Sequence, residues 1–175
     1  MDEMTALIEP RIPDLRRYAF ALTRNRDLAD DLVQDCLERA VRRWHQRGSD
    51  ANVRAWLFAI LHNVFVSHLR YCSRRGAQFG LAGFDGETIP MTMDPIQEVQ
   101  LVVRDALAGL AFLPVEQREI LLLVGVEEMS YAEASQVLDV PIGTVMSRLS
   151  RGRESLRRFL EGGQVAPVSK PNEQR

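Results

Sequence analysis

Two cysteines, Cys36 and Cys72, are all that the 175 residues contain. So few leave no disulfide framework and no cysteine-rich zinc site, and the bland reading is two half-buried or surface thiols. His45, His62 and His68 do not share a metal-ligand arrangement with them; His62 and His68 are six apart and sit off one another on a helix. No apolar run approaches the roughly 20 residues that a membrane span needs. The start, Met1 to Pro10, is acidic and lacks a signal-peptide pattern, which points to a cytoplasmic protein without membrane insertion. Strand-like alternation and internal repeats are missing. So are a phosphate-cradling glycine loop, a paired acid set in an apolar pocket and a nucleophile elbow. The sequence therefore predicts no catalytic residue, no metal, no cofactor and no enzyme. A protein of this kind acts by binding energy alone.

What is present is a hydrophobic fraction of 46%, enough for a packed core, and a charge distribution that the net value of -2 conceals. Residues 1–35 hold 5 basic and 8 acidic side chains. Residues 36–76 hold 8 arginines against Glu38 and Asp50. Residues 77–130 hold Arg104 and Arg118 against 9 acids, and residues 131–175 hold 7 basic against 5 acidic groups. Two basic blocks are thus separated by an acidic one. Basic blocks can neutralise phosphates, whereas acidic ones meet another partner or stay solvated.

Periodicity predicts an all-α chain. Pro10 and Pro13 delay the first helix to about Asp14, after which Leu15, Tyr18, Ala19 and Leu22 recur at helical spacing. Asp27 is the expected N-cap of a second helix over about 28–46, ended by Gly48. Its apolar stripe runs from Leu28 to Trp44, and its other face carries Asp30, Asp31, Gln34, Asp35, Glu38, Arg42 and Arg43. Asn52 caps a third helix that begins apolar nearly all round and ends basic near Arg75. Trp44 and Trp56 read as core residues rather than nucleic-acid stackers. Residues 77–95 then hold glycines and prolines with few apolar anchors, which predicts a linker between two small domains, 1–76 and 96–161. A helix follows from Ile96 through Leu110, and Leu113-Pro114 restarts the chain into an apolar helix over 115–125. The tail from Gly162 to Arg175 is polar and predicted to be disordered.

The most informative stretch is 130–160. Ser130 and Glu133 have capping-box spacing. A short helix with Ala134, Val137 and Leu138 inward leads to a tight turn at Asp139 to Pro141. A longer helix follows, with Val145, Leu149, Leu156 and Leu160 at core spacing. Short helix, turn, longer helix is the helix-turn-helix arrangement, in which the first helix braces the one that enters the major groove. The second helix turns Ser147, Arg148, Ser150, Arg151, Glu154 and Arg158 outward, with Arg153 at its flank. Such a face suits guanine edges and phosphates, although a solvated amphipathic helix has the same composition.

These residues carry a resemblance. Leu113 to Leu123, Ser130 to Ala134 and Val140 to Arg153 closely resemble the C-terminal domain (region 4) of sigma-70 family transcription initiation factors, most of all the extracytoplasmic function (ECF) group. Asp30-Asp31-Leu32-Val33-Gln34-Asp35 and Arg54-Ala55-Trp56-Leu57-Phe58 resemble that group's N-terminal domain (region 2), so the likeness spans about 14–160. The resemblance implies two helical domains, a region 2 bundle and a region 4 helix-turn-helix, joined by a flexible linker that leaves no room for a middle promoter-binding domain. It implies that Asp31, Gln34, Asp35, Glu38 and Arg42 dock on the clamp of RNA polymerase core. The loop from Arg47 to Val53, which holds Asn52, and the start of the third helix would capture a flipped base of the melted minus-10 element, with Asn63 and Ser67 along that helix and Arg70, Arg74 and Arg75 on phosphates nearby. Ser147, Ser150 and Arg151 would read minus-35 base edges, while Thr144, Arg148 and Arg153 would hold phosphates. Exposed parts of the stretch around Leu121 to Val124 would meet the polymerase flap, and an anti-sigma factor is a further implied partner. Two other readings compete: a stand-alone helix-turn-helix regulator, and a sigma-like decoy that binds an anti-sigma factor without DNA.

Overall fold

The structure, a computed structural model, describes residues 3–48, 52–75 and 97–162. The linker expected at 77–95 and the tail expected from 162 onward lie outside these, Gly162 apart. Among the described residues the chain is helical with no strand. The helices are α1 (Glu3–Ile8), α2 (Ile12–Thr23), α3 (Arg26–Arg43), α4 (Val53–Arg74), α5 (Gln97–Phe112), α6 (Val115–Gly125), α7 (Tyr131–Leu138) and α8 (Ile142–Leu160). Short 3-10 turns follow α1 and α3.

Two boundaries differ from the sequence expectation, each for a local reason. Helix begins at Glu3, ahead of Asp14, because Pro10 and Pro13 occupy first-turn positions where a missing N–H leaves no bond unmade. The cap of α3 is Asn25 rather than Asp27: Asn25 is extended (φ -130°) and its side chain accepts from the Leu28 amide at 3.0 Å. Asp27 sits within the first turn, where a carboxylate favours the positive end of the helix dipole. Asn52 does cap α4, accepting from the amides of Arg54 and Ala55. α3 stops at Arg43, with Trp44 to Gln46 tightened into a 3-10 turn ahead of Gly48.

α2, α3 and α4 pack around Leu15, Tyr18, Leu22, Leu32, Cys36, Leu57, Phe58, Leu61 and Phe65, all buried. Tyr18 meets Phe58 edge-on at 5.2 Å between ring centroids. Trp44 and Trp56 are half-buried against this core and against each other, as expected of packing residues. α5 to α8 enclose a second set, Leu113, Ile120, Leu123, Val137, Val145 and Leu149. Gly152 permits the close approach of α8 to α6: a Cβ there would stand 3.0 Å from Leu121 Cδ1. The two lobes are in contact, α7 lying against α4 and α6 against α2.

Candidate nucleic-acid interface

The helix-turn-helix is built as its sequence predicts. Ser130 accepts from the Glu133 amide at 3.2 Å, and Glu133 accepts from the Ser130 amide at 2.9 Å, closing the capping box at the start of α7. These bonds, the Ser130 amide first and its hydroxyl second, hold the Glu133 carboxyl below the usual carboxylate range. Asp139 ends α7 in the left-handed region (φ 52°), a conformation its short polar side chain tolerates. Ser135 Oγ then donates to the Val140 carbonyl at 2.6 Å and fastens the turn. Pro141 leads into α8.

α8 sorts the six candidate residues onto one centre and two flanks. Val145, Leu149 and Gly152 face the core. Ser147, Ser150 and Arg151 are exposed on the opposite face, at three- and four-residue spacing. Thr144 and Arg148, half-buried, lie along one flank. Arg153 lies on the other, beside Tyr131 and Met146 at the rim of a shallow hollow. Charge is also divided along the helix. Near its end, Arg157 pairs with Glu154 (3.1 Å) and Glu161 (2.8 Å), and Arg158 pairs with Glu154 (2.8 Å). The hydrogen bonds from Arg157 and Arg158 hold Glu154 below the usual carboxylate range. Arg148, Arg151 and Arg153 have no carboxylate partner among the described residues; Arg151 only returns a bond to the Ser147 carbonyl. The first half of α8 therefore carries positive charge open to an anion, and the second half neutralises its own.

The α4 candidates divide. Asn63, Ser67, Arg70 and Arg74 form one exposed stripe at four-, three- and four-residue spacing. Asn63 and Ser67 bond back to their own helix, to the carbonyls of Ala59 (2.9 Å) and Asn63 (2.7 Å). Arg75 departs from the stripe and stacks over Tyr71 at 4.6 Å. Arg47 is half-buried over the Trp44 ring at 4.2 Å. Asn52 is occupied twice: besides capping α4 it donates to Glu133 of α7 at 2.7 Å.

α3 presents a third surface. Asp31, Gln34, Asp35, Glu38 and Arg42 are all exposed, opposite the buried Ala29, Leu32, Val33, Cys36 and Ala40. Their bonds are short-range i,i+4 contacts, Asp35 with Arg39 at 3.1 Å and Glu38 with Arg42 at 3.5 Å. Exposed pairs of this kind contribute little to stability. Leu121, Leu122 and Leu123 are buried, so in that stretch only Val124 and the residues just after it reach the surface.

Sequence reasoning missed a set of contacts between the lobes. Arg118, buried in α6, donates to the carbonyls of Leu110, Ala111 and Leu113 in its own lobe and of Leu22 in the other. Burial, then the neighbouring Arg24, lowers its pKa from the ordinary arginine value. His62 Nδ1 lies 2.7 Å from the buried Glu119 carboxylate. Glu127 takes ion pairs from Arg17 and Arg54. The signal that existed was Arg118-Glu119, two charged residues directly ahead of the apolar run Ile120 to Val124.

Comparison with known proteins identifies the family. Residues 8–62 match the family model "Sigma2 domain of PhyR", and residues 104–156 match "Sigma-70, region 4". The ECF RNA polymerase sigma factor EcfG of Rhodopseudomonas palustris (strain TIE-1) is 38% identical over 149 residues, covering 85% of this chain and 80% of that one. This chain belongs to the ECF sigma factors. SigC, an ECF sigma factor of Mycobacterium tuberculosis (strain CDC 1551 / Oshkosh), is 32% identical over 133 residues, 73% of this chain and 68% of that protein. Among solved structures, the sigma factor RpoE of Bartonella quintana, in complex with the anti-sigma factor NepR, superposes with a TM-score of 0.72 at 33% identity. That match covers 90% of this chain and 98% of the other. Among the described residues no helix of this sigma factor is long and apolar enough to cross a membrane, and no cluster of His, Cys, Asp and Glu gathers as a metal site would need.

Proposed function

We propose that this ECF sigma factor joins RNA polymerase core through the α3 stripe and places two reading surfaces on a promoter. Residues 1–76 act as region 2. Asp31, Gln34, Asp35, Glu38 and Arg42 meet the clamp, and Asn63, Ser67, Arg70 and Arg74 line the melted minus-10 strand. Arg47, Asn52 and Arg75 reach that strand once their present contacts are exchanged for it. Residues 96–161 act as region 4. Ser147, Ser150 and Arg151 read minus-35 base edges in the major groove, and Thr144, Arg148 and Arg153 hold phosphates on either side. The polymerase performs the chemistry, so the factor itself is no enzyme and works in the cytoplasm. Because the solved RpoE relative binds an anti-sigma factor, a NepR-like partner is expected here as well.

The observation that carries this reading is one chain with both an exposed acid-and-amide stripe on α3 and an unneutralised arginine face on α8. A stand-alone regulator has no use for the first. The decoy reading draws one specific observation, the match of residues 8–62 to the sigma2 domain of PhyR, since a solved structure from Bartonella quintana names PhyR an anti-anti-sigma factor. A decoy has no use for Arg148, Arg151 and Arg153. Run-off transcription with purified core polymerase on a library of host promoters separates the readings. Discrete transcripts that appear with the factor and vanish with Arg151→Ala or Asp35→Ala establish the proposal. No transcripts and no binding to core, with capture of an anti-sigma protein retained, transfer the chain to the decoys.

A further inference from the structure

The seam between the lobes is organised around one carboxylate. Glu127 lies on the loop between α6 and α7 with its side chain 1% exposed. Two arginines of the other lobe converge on it. Arg17 of α2 reaches Oε1 at 2.8 Å and Oε2 at 2.9 Å through one terminal nitrogen, and Oε1 again at 3.1 Å through Nε. Arg54 of α4 reaches Oε2 at 3.1 Å and also donates to the Glu127 carbonyl oxygen. The next residue, Glu128, sits in the left-handed region at φ 52°, a conformation that a side chain with a Cβ adopts only against steric resistance. Nearby, Asn52, the N-cap of α4 and one of the minus-10 candidates, is held by Glu133.

This closed arrangement conflicts with the geometry of the proposed task. Elements centred at minus-10 and minus-35 are about 25 base pairs apart, roughly 85 Å along a duplex that rises 3.4 Å per pair. A packed body of about 150 residues has a radius of gyration near 15 Å, so it is roughly 40 Å across. With the lobes in contact, α4 and α8 cannot reach both elements, and the seam has to part. An ion pair with one buried member suits such a seam: the Arg17 and Arg54 side chains keep 50% and 26% of their surface exposed, while the lost hydration of Glu127 offsets much of the attraction, and separated charges are at home in water.

We infer that Glu127, gripped by Arg17 and Arg54, is a releasable latch that keeps the free factor shut and off promoter DNA until core polymerase draws the lobes apart. The inference rests on the sigma-factor reading above. It supplies an order of events. The α3 stripe is exposed in the latched form, so core binding comes first, and Asn52 becomes available to DNA only afterwards.

The test uses the full chain in four forms: wild type, Glu127→Gln, the double variant Arg17→Ala/Arg54→Ala, and Glu128→Gln. The last removes the same charge one residue away and controls for the gain in DNA affinity that any lost acid brings. Small-angle scattering reads the separation of the lobes, circular dichroism reads helicity, and fluorescence anisotropy reads binding of a promoter fragment without polymerase. The latch predicts a compact wild type. It predicts that Glu127→Gln and the double variant keep their helicity, extend in solution and bind the fragment at least tenfold more tightly. Glu128→Gln stays as compact and as helical as wild type, and its affinity for the fragment rises only by the small gain that one lost acid brings. Either outcome of two kinds overturns the latch: a wild type already extended, or folded variants that scatter and bind as wild type does. Should Glu127→Gln fail to fold, the double variant decides alone. Failure of the functional reading is distinguishable, because a wild type inert in run-off transcription removes the sigma role while the scattering still decides the latch.

Discussion

The inside of each lobe and the seam between the lobes are held by different forces. Inside the N-terminal lobe, Leu15, Leu57, Phe58 and Leu61 have no exposed surface and belong to a close-packed hydrophobic cluster. Apolar packing continues across to the other lobe, but there charged and polar side chains join it: Arg17 and Arg54 on Glu127, His62 on Glu119, Arg118 on the Leu22 carbonyl, Asn52 on Glu133. Burying apolar area is favourable wherever water is the alternative, and this holds each lobe together. Ion pairs with a buried member lie closer to break-even, so the seam can exist in two states. A protein that must be compact when idle and extended on a promoter needs that division.

The largest effect that would break the comparison is inside a lobe. Phe58→Ala should destabilise the N-terminal lobe by about 3–5 kcal/mol, read as a lowered urea midpoint, because it removes a fully buried ring and its contact with Tyr18. A loss below about 1 kcal/mol would mean that the lobe is not the rigid unit described. Next comes the division of charge along α8. Arg151→Ala should weaken promoter binding by the polymerase complex by roughly 10- to 100-fold, the range for one base-reading arginine. Arg157→Ala, whose charge is already matched by Glu154 and Glu161, should change it less than about threefold. Equal effects would erase the distinction between the two halves of the helix.

A smaller effect concerns the capping box. Ser130→Ala should cost about 1 kcal/mol of stability in the C-terminal lobe. Glu133 has its folded-state pKa lowered, so its stabilising share is full above the unfolded value near 4.3 and fades as pH falls through the lowered folded value. The acid limb of the stability curve should therefore be shallower in Ser130→Ala than in wild type; parallel curves would contradict the assignment. The smallest signal is chemical. Burial pushes the Cys36 thiol up to about 12, whereas Cys72 is half-exposed on α4. A thiol reagent at pH 8 should label one cysteine in the native protein and two after unfolding, as counted by mass spectrometry.

Much of this was readable from sequence because the signals are local. The 3.6-residue spacing of Leu32, Cys36 and Ala40 placed the α3 stripe opposite the core. Ser130 and Glu133 announced the start of α7, and Asp139 to Pro141 announced the turn. The start of the first helix was misplaced because proline stops a helix in its middle but is at ease in its first turn, and spacing alone does not tell the two apart. Asp27 and Asn25 are both good caps by composition; the extended backbone at Asn25 decides between them. Glu127 was invisible, since nothing local separates it from Glu128, and its role depends on Arg17 and Arg54 arriving from 110 and 73 residues away. Arg118 was half legible: a lone arginine in an apolar helix demands partners, but only the fold shows that one of them is the end of α2.

On a promoter the two lobes come apart, and each reads a separate stretch of the DNA. Hydroxyl-radical footprinting of the open complex, made with core polymerase and this factor on a promoter recovered by run-off transcription, tests it most directly. The account predicts an upstream protected patch about two and a half helical turns from the melted region, lost in Arg151→Ala. A complex that initiates with the upstream patch absent from wild type, or with that patch unchanged in Arg151→Ala, would contradict it.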